Sequence, residues 1–451
     1  MLLDVRQYVA FDLDSSGRVL AGSDDSGSIQ LIEILPDGSV TRLTALPGAC
    51  TGRYLPRQRA VIVSHDVGGN ELHQLSVLPV PSPAGRPAEL DSLEPLVRDP
   101  RYIHLLADVT HSQICYFTNR RNGVAFDPVI RDLADGAERT LRLGDHMFGE
   151  AAISPDGLLL ALTVFSAVTA SAAHVVLVDL TVPAGEEDPA EVTPADAPAM
   201  NNALAWSPES DALFFSSNND REFVAVTRHD LATGQRTWLI GDEEADLTGW
   251  PAPDGSVILI ERNDNGASVL ALHDAGTGER LCDLPLPARG SVGRARLVWA
   301  PDSSAIAVTV SGADIPSDIL LAAWQRGESA GRLPEDQRRG FFGGPALLTR
   351  SAAGLNGEPT ASPERHRVPT EDGEQIPCPG VPAGSGSRRK RSHQVRCRAR
   401  ARRAREPGAG GLPRRGAGAG SGRAHRARAE RPRFDWLRQA VVHSRRRAPE
   451  T

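Results

Sequence analysis

The chain has 451 residues, 40% of them hydrophobic, and a formal net charge of −7, which fits a globular protein better than a disordered or fibrous one. No apolar run approaches the roughly 20 residues that cross a bilayer, and the N-terminus lacks a basic segment followed by an apolar one. We therefore expect neither a membrane span nor a secretory signal, and we predict a cytoplasmic protein.

The net charge is an average over two unlike parts of the chain. Residues 381–451 contain 21 of the 50 basic residues and four of the 57 acidic ones, a net charge of +17, which leaves −24 on the first 380 residues. The overall charge consequently says nothing about the kind of partner that the protein binds.

A turn motif recurs at intervals of about fifty residues. It reads SPDG at 154–157, SPES at 207–210, APDG at 252–255 and APDS at 300–303, and residues 11–17 (FDLDSSG) form a degenerate copy. Apolar runs flank each copy. Because proline fixes φ, aspartate bonds back to the backbone and glycine or serine accepts an unusual dihedral, each copy predicts a β-hairpin.

Further apolar runs and turns complete units of four short strands, which is typical of propeller blades. The sequence predicts an all-β fold, a seven-bladed β-propeller with WD-like or TolB-like blades, over residues 1–345. Blades two and three are inferred mainly from spacing, which leaves six or eight blades open. The predicted blade openings lie near Val9, Tyr54, Ile114, Ala152, Leu204, Leu247 and Leu297. Trp206, Trp250 and Trp299 recur close to the turns, and we expect them to pack between adjacent sheets.

Two segments carry a family resemblance. Residues 64–75 (SHDVGGNELHQL) and residues 117–123 (FTNRRNG), the latter followed by VIRDL at 129–133, resemble propeller segments of the prolyl oligopeptidase family of serine peptidases, especially its acylaminoacyl-peptidase and dipeptidyl-aminopeptidase-like members. In that family the propeller covers the active site of an α/β-hydrolase domain and admits short or unfolded peptides. The resemblance implies short peptides or an acyl-peptide as ligands.

Residues 346–378 resemble the linker that leads from such a propeller into the hydrolase domain. The DGEQIP segment at 372–377 is similar to the family sequence that precedes a strand and an oxyanion loop, and we expect neither to follow here. The α/β-hydrolase domain is then missing. Residues 379–451 form a basic tail rich in Arg, Ala, Gly and Pro, interpreted as disordered or as the product of a reading-frame slip near residue 378.

In residues 379–451, where a hydrolase domain should follow, no serine lies in a G-x-S-x-G elbow, and Ser421 lacks the two outer glycines. We therefore assign no catalytic residue and interpret the chain as a truncated peptidase relative that retains a substrate-gating propeller without peptide hydrolysis. The alternative is a stand-alone propeller that binds proteins or peptides, similar to the periplasmic translocation-associated propellers. The basic tail could also bind nucleic acid adventitiously through its arginines.

Asn119, Arg120 and Arg121 are the candidate substrate-gating residues, with salt bridges to acidic blades as the alternative role. We expect no metal or cofactor: His65, Asp66 and His73 would need partners from another blade, and residues 12–23 lack the glutamate that closes a calcium loop. The five cysteines include no C-x-x-C pair, so we expect neither disulfides nor a zinc site.

Overall fold

The computed structural model describes residues 5–81, 85–169, 171–312, 315–325, 341–353, 364–370, 373 and 375–380. Within these residues the chain forms seven consecutive four-stranded antiparallel sheets, one separate two-stranded hairpin and one three-residue 3-10 helix, Leu90–Ser92. The predicted all-β class and the number of seven blades are both confirmed. All but the first two residues of the predicted basic tail at 379–451 lie outside the described residues.

The strands of the first four blades follow one another in sequence order, from the innermost to the outermost strand of each sheet. Blade 1 contains β1 (Tyr8–Leu13), β2 (Val19–Ser23), β3 (Gln30–Ile34) and β4 (Val40–Arg42). Blade 2 contains β5 (Cys50–Tyr54), β6 (Ala60–His65), β7 (Gln74–Pro79) and β8 (Glu94–Val97). Blade 3 contains β9 (His104–Val109), β10 (Gln113–Thr118), β11 (Asp127–Asp132) and β12 (Glu138–Thr140). Blade 4 contains β13 (Phe148–Ile153), β14 (Leu159–Phe165), β15 (Ala173–Asp179) and β16 (Ala190–Glu191).

The last three blades repeat the same order. Blade 5 contains β17 (Asn201–Trp206), β18 (Ala212–Ser217), β19 (Ala225–Asp230) and β20 (Arg236–Ile240). Blade 6 contains β21 (Leu247–Pro251), β22 (Val257–Asp264), β23 (Ala267–Asp274) and β24 (Arg280–Leu284). Blade 7 contains β25 (Gly290–Trp299), β26 (Ala305–Gly312), β27 (Asp318–Gln325) and β28 (Phe341–Leu347). Strand β1 contacts both β5 and β25, so the blades close into a ring without exchanging a strand.

The repeated turn motif forms the tight turn between the first two strands of a blade. Its last residue has positive φ whether it is glycine or serine, as the sequence predicted; the residues are Gly157, Ser210, Gly255 and Ser303. The serines also connect neighbouring turns. The Asp156 N–H donates to the Ser210 hydroxyl at 3.1 Å, and the Asp254 N–H donates to the Ser303 hydroxyl at 2.9 Å.

The opening of blade 3 differs from the prediction. Ile114 lies in β10, the second strand, and the blade begins one strand earlier with β9. The turn between β9 and β10 contains no proline; instead the Thr110 hydroxyl accepts the Gln113 N–H at 3.1 Å and the Thr110 N–H donates to the Gln113 carbonyl. Because the spacing argument depended on the proline motif, it placed the opening too late.

The three recurring tryptophans pack between sheets, as predicted. The Trp206 indole N–H donates to the Ala152 carbonyl of blade 4 at 2.9 Å, and the Trp299 indole N–H donates to the Trp250 carbonyl of blade 6 at 3.1 Å. Trp250 and Trp299 pack against the apolar core between blades 6 and 7. The indoles of Trp206 and Trp299 therefore each fix one blade against its predecessor.

A backbone N–H of each first strand bonds to the preceding blade. At the junction of blades 2 and 3 the acceptor is the His73 carbonyl, which takes the His104 N–H. At the other six junctions it is a side chain, at distances between 2.8 and 3.1 Å. The pairs are Ala10 with Thr309, Tyr54 with Asp12, Ile153 with Asp108, Leu204 with Glu150, Gly249 with Ser216, and Val292 with Ser268. Polar side chains on the first, second or third strand of one blade thus hold the first strand of the next blade.

A buried polar network closes the ring between blades 7 and 1. Asp318, 2% exposed, accepts the Thr349 hydroxyl and the Ser351 N–H at 2.7 Å each and the Ser351 hydroxyl at 2.9 Å. The Ser317 hydroxyl donates to the Tyr8 carbonyl at 2.7 Å, and the Tyr8 N–H donates back to the Ser317 carbonyl. The segment after the last blade strand is thereby held to β27, and the start of β1 is held to Ser317, the residue that precedes β27.

The connectivity gives the propeller two different faces. The turn face carries the connections between the first and second strands and between the third and fourth strands of each blade. The loop face carries the connections between the second and third strands and the links from one blade to the next. Since β1 begins at the loop face and β28 ends there, the chain enters and leaves the propeller on the same side.

A separate hairpin follows the propeller. Strand β29 (Glu364–Pro369) pairs antiparallel with β30 (Gln375–Gly380), and Gly373 in the turn has φ of +89°. The expectation that no strand follows the DGEQIP segment is therefore wrong, because β30 continues through Pro377 to Gly380. The last propeller strand, β28, ends at Leu347, two residues beyond the predicted boundary at 345.

His104, the first residue of β9, is fully buried. Its Nδ1 lies 2.9 Å from the Thr118 hydroxyl, and its ring meets Tyr116 edge-on with centroids 6.0 Å apart. Burial, reinforced by the positive charge of Arg120, lowers the pKa of His104 to about 4. The imidazole is therefore neutral in the folded protein at pH 7.

Lowering the pH from 7 to 5 should destabilise the protein partly through His104. The unfolded chain, in which a histidine pKa is about 6.5, takes up the proton first, so this contribution to stability is present at pH 7 and is lost as the pH falls. We expect the wild type to lose about 2 kcal/mol more than His104→Gln between the two pH values, measured by urea denaturation. The variant His111→Gln, at an exposed loop position, should retain the full wild-type pH dependence. Equal pH dependence of the wild type and His104→Gln would contradict the assignment.

Candidate functional site

The predicted gating residues Asn119, Arg120 and Arg121 begin the loop between β10 and β11, on the loop face of blade 3. Asn119 is 6% exposed. Its Oδ1 accepts the Ile103 N–H at 2.8 Å, and its Nδ2 donates to the Gly123 carbonyl at 2.9 Å. The Asn119 amide therefore holds the loop against the chain that enters blade 3.

Both arginines take part in ion pairs. Arg120 Nη1 lies 3.3 Å from Glu138 Oε2. Arg121 Nε lies 3.0 Å from the buried Asp127 carboxylate and its Nη2 lies 2.8 Å from Asp145 Oδ1. Hydrogen bonds from Arg121, first to Asp127 and then to Asp145, raise its pKa. The three predicted residues lie together, and their role in substrate gating stays a prediction.

His65 and Asp66 form their side-chain hydrogen bonds within blade 2. His65 Nε2 lies 2.9 Å from the Ser76 hydroxyl, and the Asp66 carboxylate accepts the Glu71 N–H at 3.0 Å. Burial is the main cause of the lowered pKa of both His65 and His73. In the part of the chain that the structure describes, no three His, Cys, Asp or Glu side chains are grouped to hold a metal ion.

The segment that imitates a calcium loop forms the turn between β1 and β2. Asp14 Oδ1 accepts the N–H groups of Ser16 and Arg18, both at 2.9 Å, so this carboxylate stabilises the turn. Asp12 is directed instead toward blade 2, where it accepts the Tyr54 N–H.

Three charged side chains occupy equivalent positions in the first three blades. Asp12, Arg53 and Asp108 are the penultimate residues of β1, β5 and β9, near the turn face, and we call them the channel-mouth cluster. First strands are the innermost strands of a propeller and surround its central channel. The cluster therefore lies at the end of the channel that opens on the turn face.

Backbone N–H groups occupy the oxygens of both carboxylates. Asp12 accepts the Leu13 N–H at 2.9 Å with Oδ1 and the Tyr54 N–H at 2.8 Å with Oδ2. Asp108 accepts the Val109 N–H at 2.9 Å with Oδ1 and the Ile153 N–H at 2.8 Å with Oδ2. Burial raises the pKa of Asp108, and its hydrogen bond from Ile153 acts in the opposite direction. Both carboxylates thus have a structural role at blade junctions.

Within the described part of the chain, the Arg53 side chain donates a hydrogen bond from Nε only. Its Nε lies 3.2 Å from Asp12 Oδ2, and 43% of its side chain is exposed. The charge of Asp12 raises the pKa of Arg53, burial opposes that shift, and the charge of Asp108 adds to it. Because Arg53 is influenced by carboxylates of both flanking blades, its guanidinium lies where the inner edges of the three sheets converge.

Sequence reasoning missed this cluster. Asp12 was considered only as part of the calcium-loop imitation, and Asp108 fell outside the predicted blade 3. An alignment of the first strands by their distance from the following turn would have placed Asp12 and Arg53 at one level of the channel. Asp108 could not be placed in this way because its turn lacks the proline motif.

Comparisons with known proteins agree with this architecture. No protein-family model and no curated protein sequence matches the chain. Among solved structures, the chain is similar to apo prolyl oligopeptidase B from Galerina marginata, with a TM-score of 0.60 and 14% identity over 83% of this chain and 55% of that chain. It is also similar to a puromycin-hydrolyzing peptidase from Mycobacterium tuberculosis, with a TM-score of 0.61 and 15% identity over 85% of this chain and 61% of that chain.

These similarities establish the fold. The resemblance to the prolyl oligopeptidase family inferred from the sequence is thus confirmed at the level of the propeller. The chain spans about half the length of the prolyl oligopeptidase and three fifths of the other peptidase. Among the described residues no helix is long and apolar enough to cross a membrane.

Proposed function

We propose that this chain is the propeller part of a prolyl oligopeptidase-like serine peptidase and that its propeller controls the access of peptides to a hydrolase unit. The observation that carries the proposal is the seven-bladed ring, built from sequence-consecutive strands, whose fold matches that of prolyl oligopeptidases over 83% of the chain. The family resemblance of residues 64–75 and 117–123, in blades 2 and 3, and of the linker at 346–378 supports it.

The two faces suggest how the propeller would work. The chain leaves the ring on the loop face, where Asn119, Arg120 and Arg121 also lie, so a hydrolase unit attached through the linker would meet that face. The channel-mouth cluster lies at the other end of the channel. A peptide that entered from the turn face would pass Arg53 before it reached the loop face.

We also propose that the 451-residue chain does not itself hydrolyse peptides. The one serine in a G-x-S-x-G pattern is Ser329, in GESAG at 327–331, and this segment connects β27 and β28 of an antiparallel sheet, whereas a nucleophile elbow joins a strand to a helix. The 71 residues after position 380 contain no such pattern and a single aspartate, Asp435. The competing function is a stand-alone module that binds proteins or peptides. The self-contained closure of the ring by the Asp318 network supports it, because the propeller needs no further unit to close.

A fluorophosphonate probe tests the proposed loss of hydrolysis, because such probes label serines that a neighbouring base activates. The purified chain should show no covalent labelling, whereas an active serine peptidase run in parallel should be labelled. Labelling of this chain that heat denaturation abolishes would restore an enzymatic function. Binding of short fluorescent peptides by the unlabelled chain would support the gating role, and tight capture of a folded partner without peptide binding would favour the module.

A further inference from the structure

The channel-mouth cluster leaves one charged group with unused hydrogen-bonding capacity. Asp12 and Asp108 use both of their oxygens within the protein, while Arg53 donates from Nε. Among the described residues, Arg53 Nη1 and Nη2 donate no hydrogen bond. Arg53 is also the one arginine or lysine on the innermost strands of the first six blades.

The contact with Asp12 orients this guanidinium. Because Nε is held at 3.2 Å from a carboxylate that two backbone N–H groups fix in place, the planar group cannot rotate freely. The Arg53 side chain is 43% exposed, so solvent or a ligand at the turn-face end of the channel can reach the terminal N–H groups. An oriented guanidinium with a free outer edge matches the geometry of a carboxylate, to which it can donate two parallel hydrogen bonds.

We propose that Arg53 binds a carboxylate of a peptide that enters the channel from the turn face and so selects which peptides pass. This inference rests on the proposed gating function and adds a specificity-determining residue to it. The carboxylate can belong to the peptide C-terminus or to an acidic side chain. An amidated peptide without acidic residues offers neither group and should be disfavoured.

Binding of three octapeptides of glycine, alanine and serine, each labelled at its N-terminus with an uncharged BODIPY dye, is measured by fluorescence anisotropy on the full chain and tests the inference. One peptide has a free C-terminus, one is amidated, and one is amidated with a single internal glutamate. We expect the amidated neutral peptide to bind on the order of tenfold more weakly than the free acid. If the glutamate peptide binds like the free acid, either carboxylate suffices; if it binds like the neutral amide, the C-terminus is the group recognised.

Variants complete the test. Arg53→Gln should abolish the preference for the carboxylate, and Arg53→Lys should reduce it because lysine lacks the planar fork. The matched control Arg42→Gln removes an arginine from the exposed outer strand β4, where it lies 3.7 Å from Asp25, and should leave the preference intact. Unchanged circular dichroism and urea midpoint would establish that each variant is folded.

The outcomes distinguish an incorrect role of Arg53 from an incorrect gating function. If the wild type binds the free and amidated peptides equally, the role of Arg53 is wrong and the gating function stands. If the wild type binds none of the three peptides, the gating function itself is contradicted, and the role of Arg53 is contradicted with it.

Discussion

Replacing Asp318 with alanine should lower the free energy of unfolding by about 3 kcal/mol. The substitution removes the acceptor of three hydrogen bonds at the junction of blades 7 and 1 and leaves the donors of Thr349 and Ser351 without a partner in a buried site. Each buried unsatisfied donor costs about 1–3 kcal/mol, partly offset by relaxation of the site. Urea denaturation followed by tryptophan fluorescence measures the loss.

A conservative variant at the same position and a surface variant serve as controls for this loss of stability. Asp318→Asn keeps the oxygen that accepts from Thr349 and from the Ser351 N–H, and it should cost less than the alanine variant. Glu243→Ala removes a carboxylate that is 91% exposed and pairs with Arg221 at the surface, so it should change stability little. A similar stability of Asp318→Ala and Glu243→Ala would show that the network does not contribute to ring closure.

Hydrogen exchange locates the effect. In Asp318→Ala the amides of Tyr8 and Ile319, which belong to the two strands that meet at the closure, should exchange faster. The central strand β18 of blade 5, far from the closure along the chain, should keep its protection. Uniformly faster exchange would instead indicate a global loss of stability without local opening.

The sequence predicted the repeated part of this fold well because most blades contain a turn that requires particular residue types. Turns such as those ending at Gly157 and Ser303 require a residue that tolerates positive φ, and this requirement is visible in the sequence. The alternation of such turns with apolar runs gave both the class and the number of blades. Where the local signal is absent, as between Val109 and Gln113, the assignment shifted by a whole strand.

The contacts between blades were not predictable in the same way. Asp12 and Tyr54 are 42 residues apart, and Asp108 and Ile153 are 45 apart, so no local pattern links them. The predicted residues Asn119, Arg120 and Arg121 came from a segment with a recognisable sequence. Arg53 has no such segment around it, and its position in the channel follows only from the arrangement of three neighbouring sheets.

Replacing Gly278 with alanine should be about as damaging as the Asp318 variant, with an expected loss of about 3 kcal/mol. Gly278 ends the turn between β23 and β24 with φ of +75°, a conformation that costs a residue with a Cβ about 1 kcal/mol. A Cβ there would also lie 2.6 Å from the Leu239 carbonyl oxygen on β20 of blade 5. Since that oxygen belongs to the backbone of a neighbouring blade, relieving the clash requires the two blades to move apart, which adds a packing cost of about 1–3 kcal/mol.

Gly234 provides a matched control within the same chain. It ends the equivalent turn of blade 5, in the sequence DLATG, with φ of +67°, and a Cβ there would meet nothing within 4 Å. Gly234→Ala should therefore show the conformational cost alone, about 1 kcal/mol, in the same urea titration. The difference between the two variants measures how tightly blade 6 packs on blade 5. If both lose the same amount, the blades tolerate the shift, and the close approach at Leu239 does not restrain the ring.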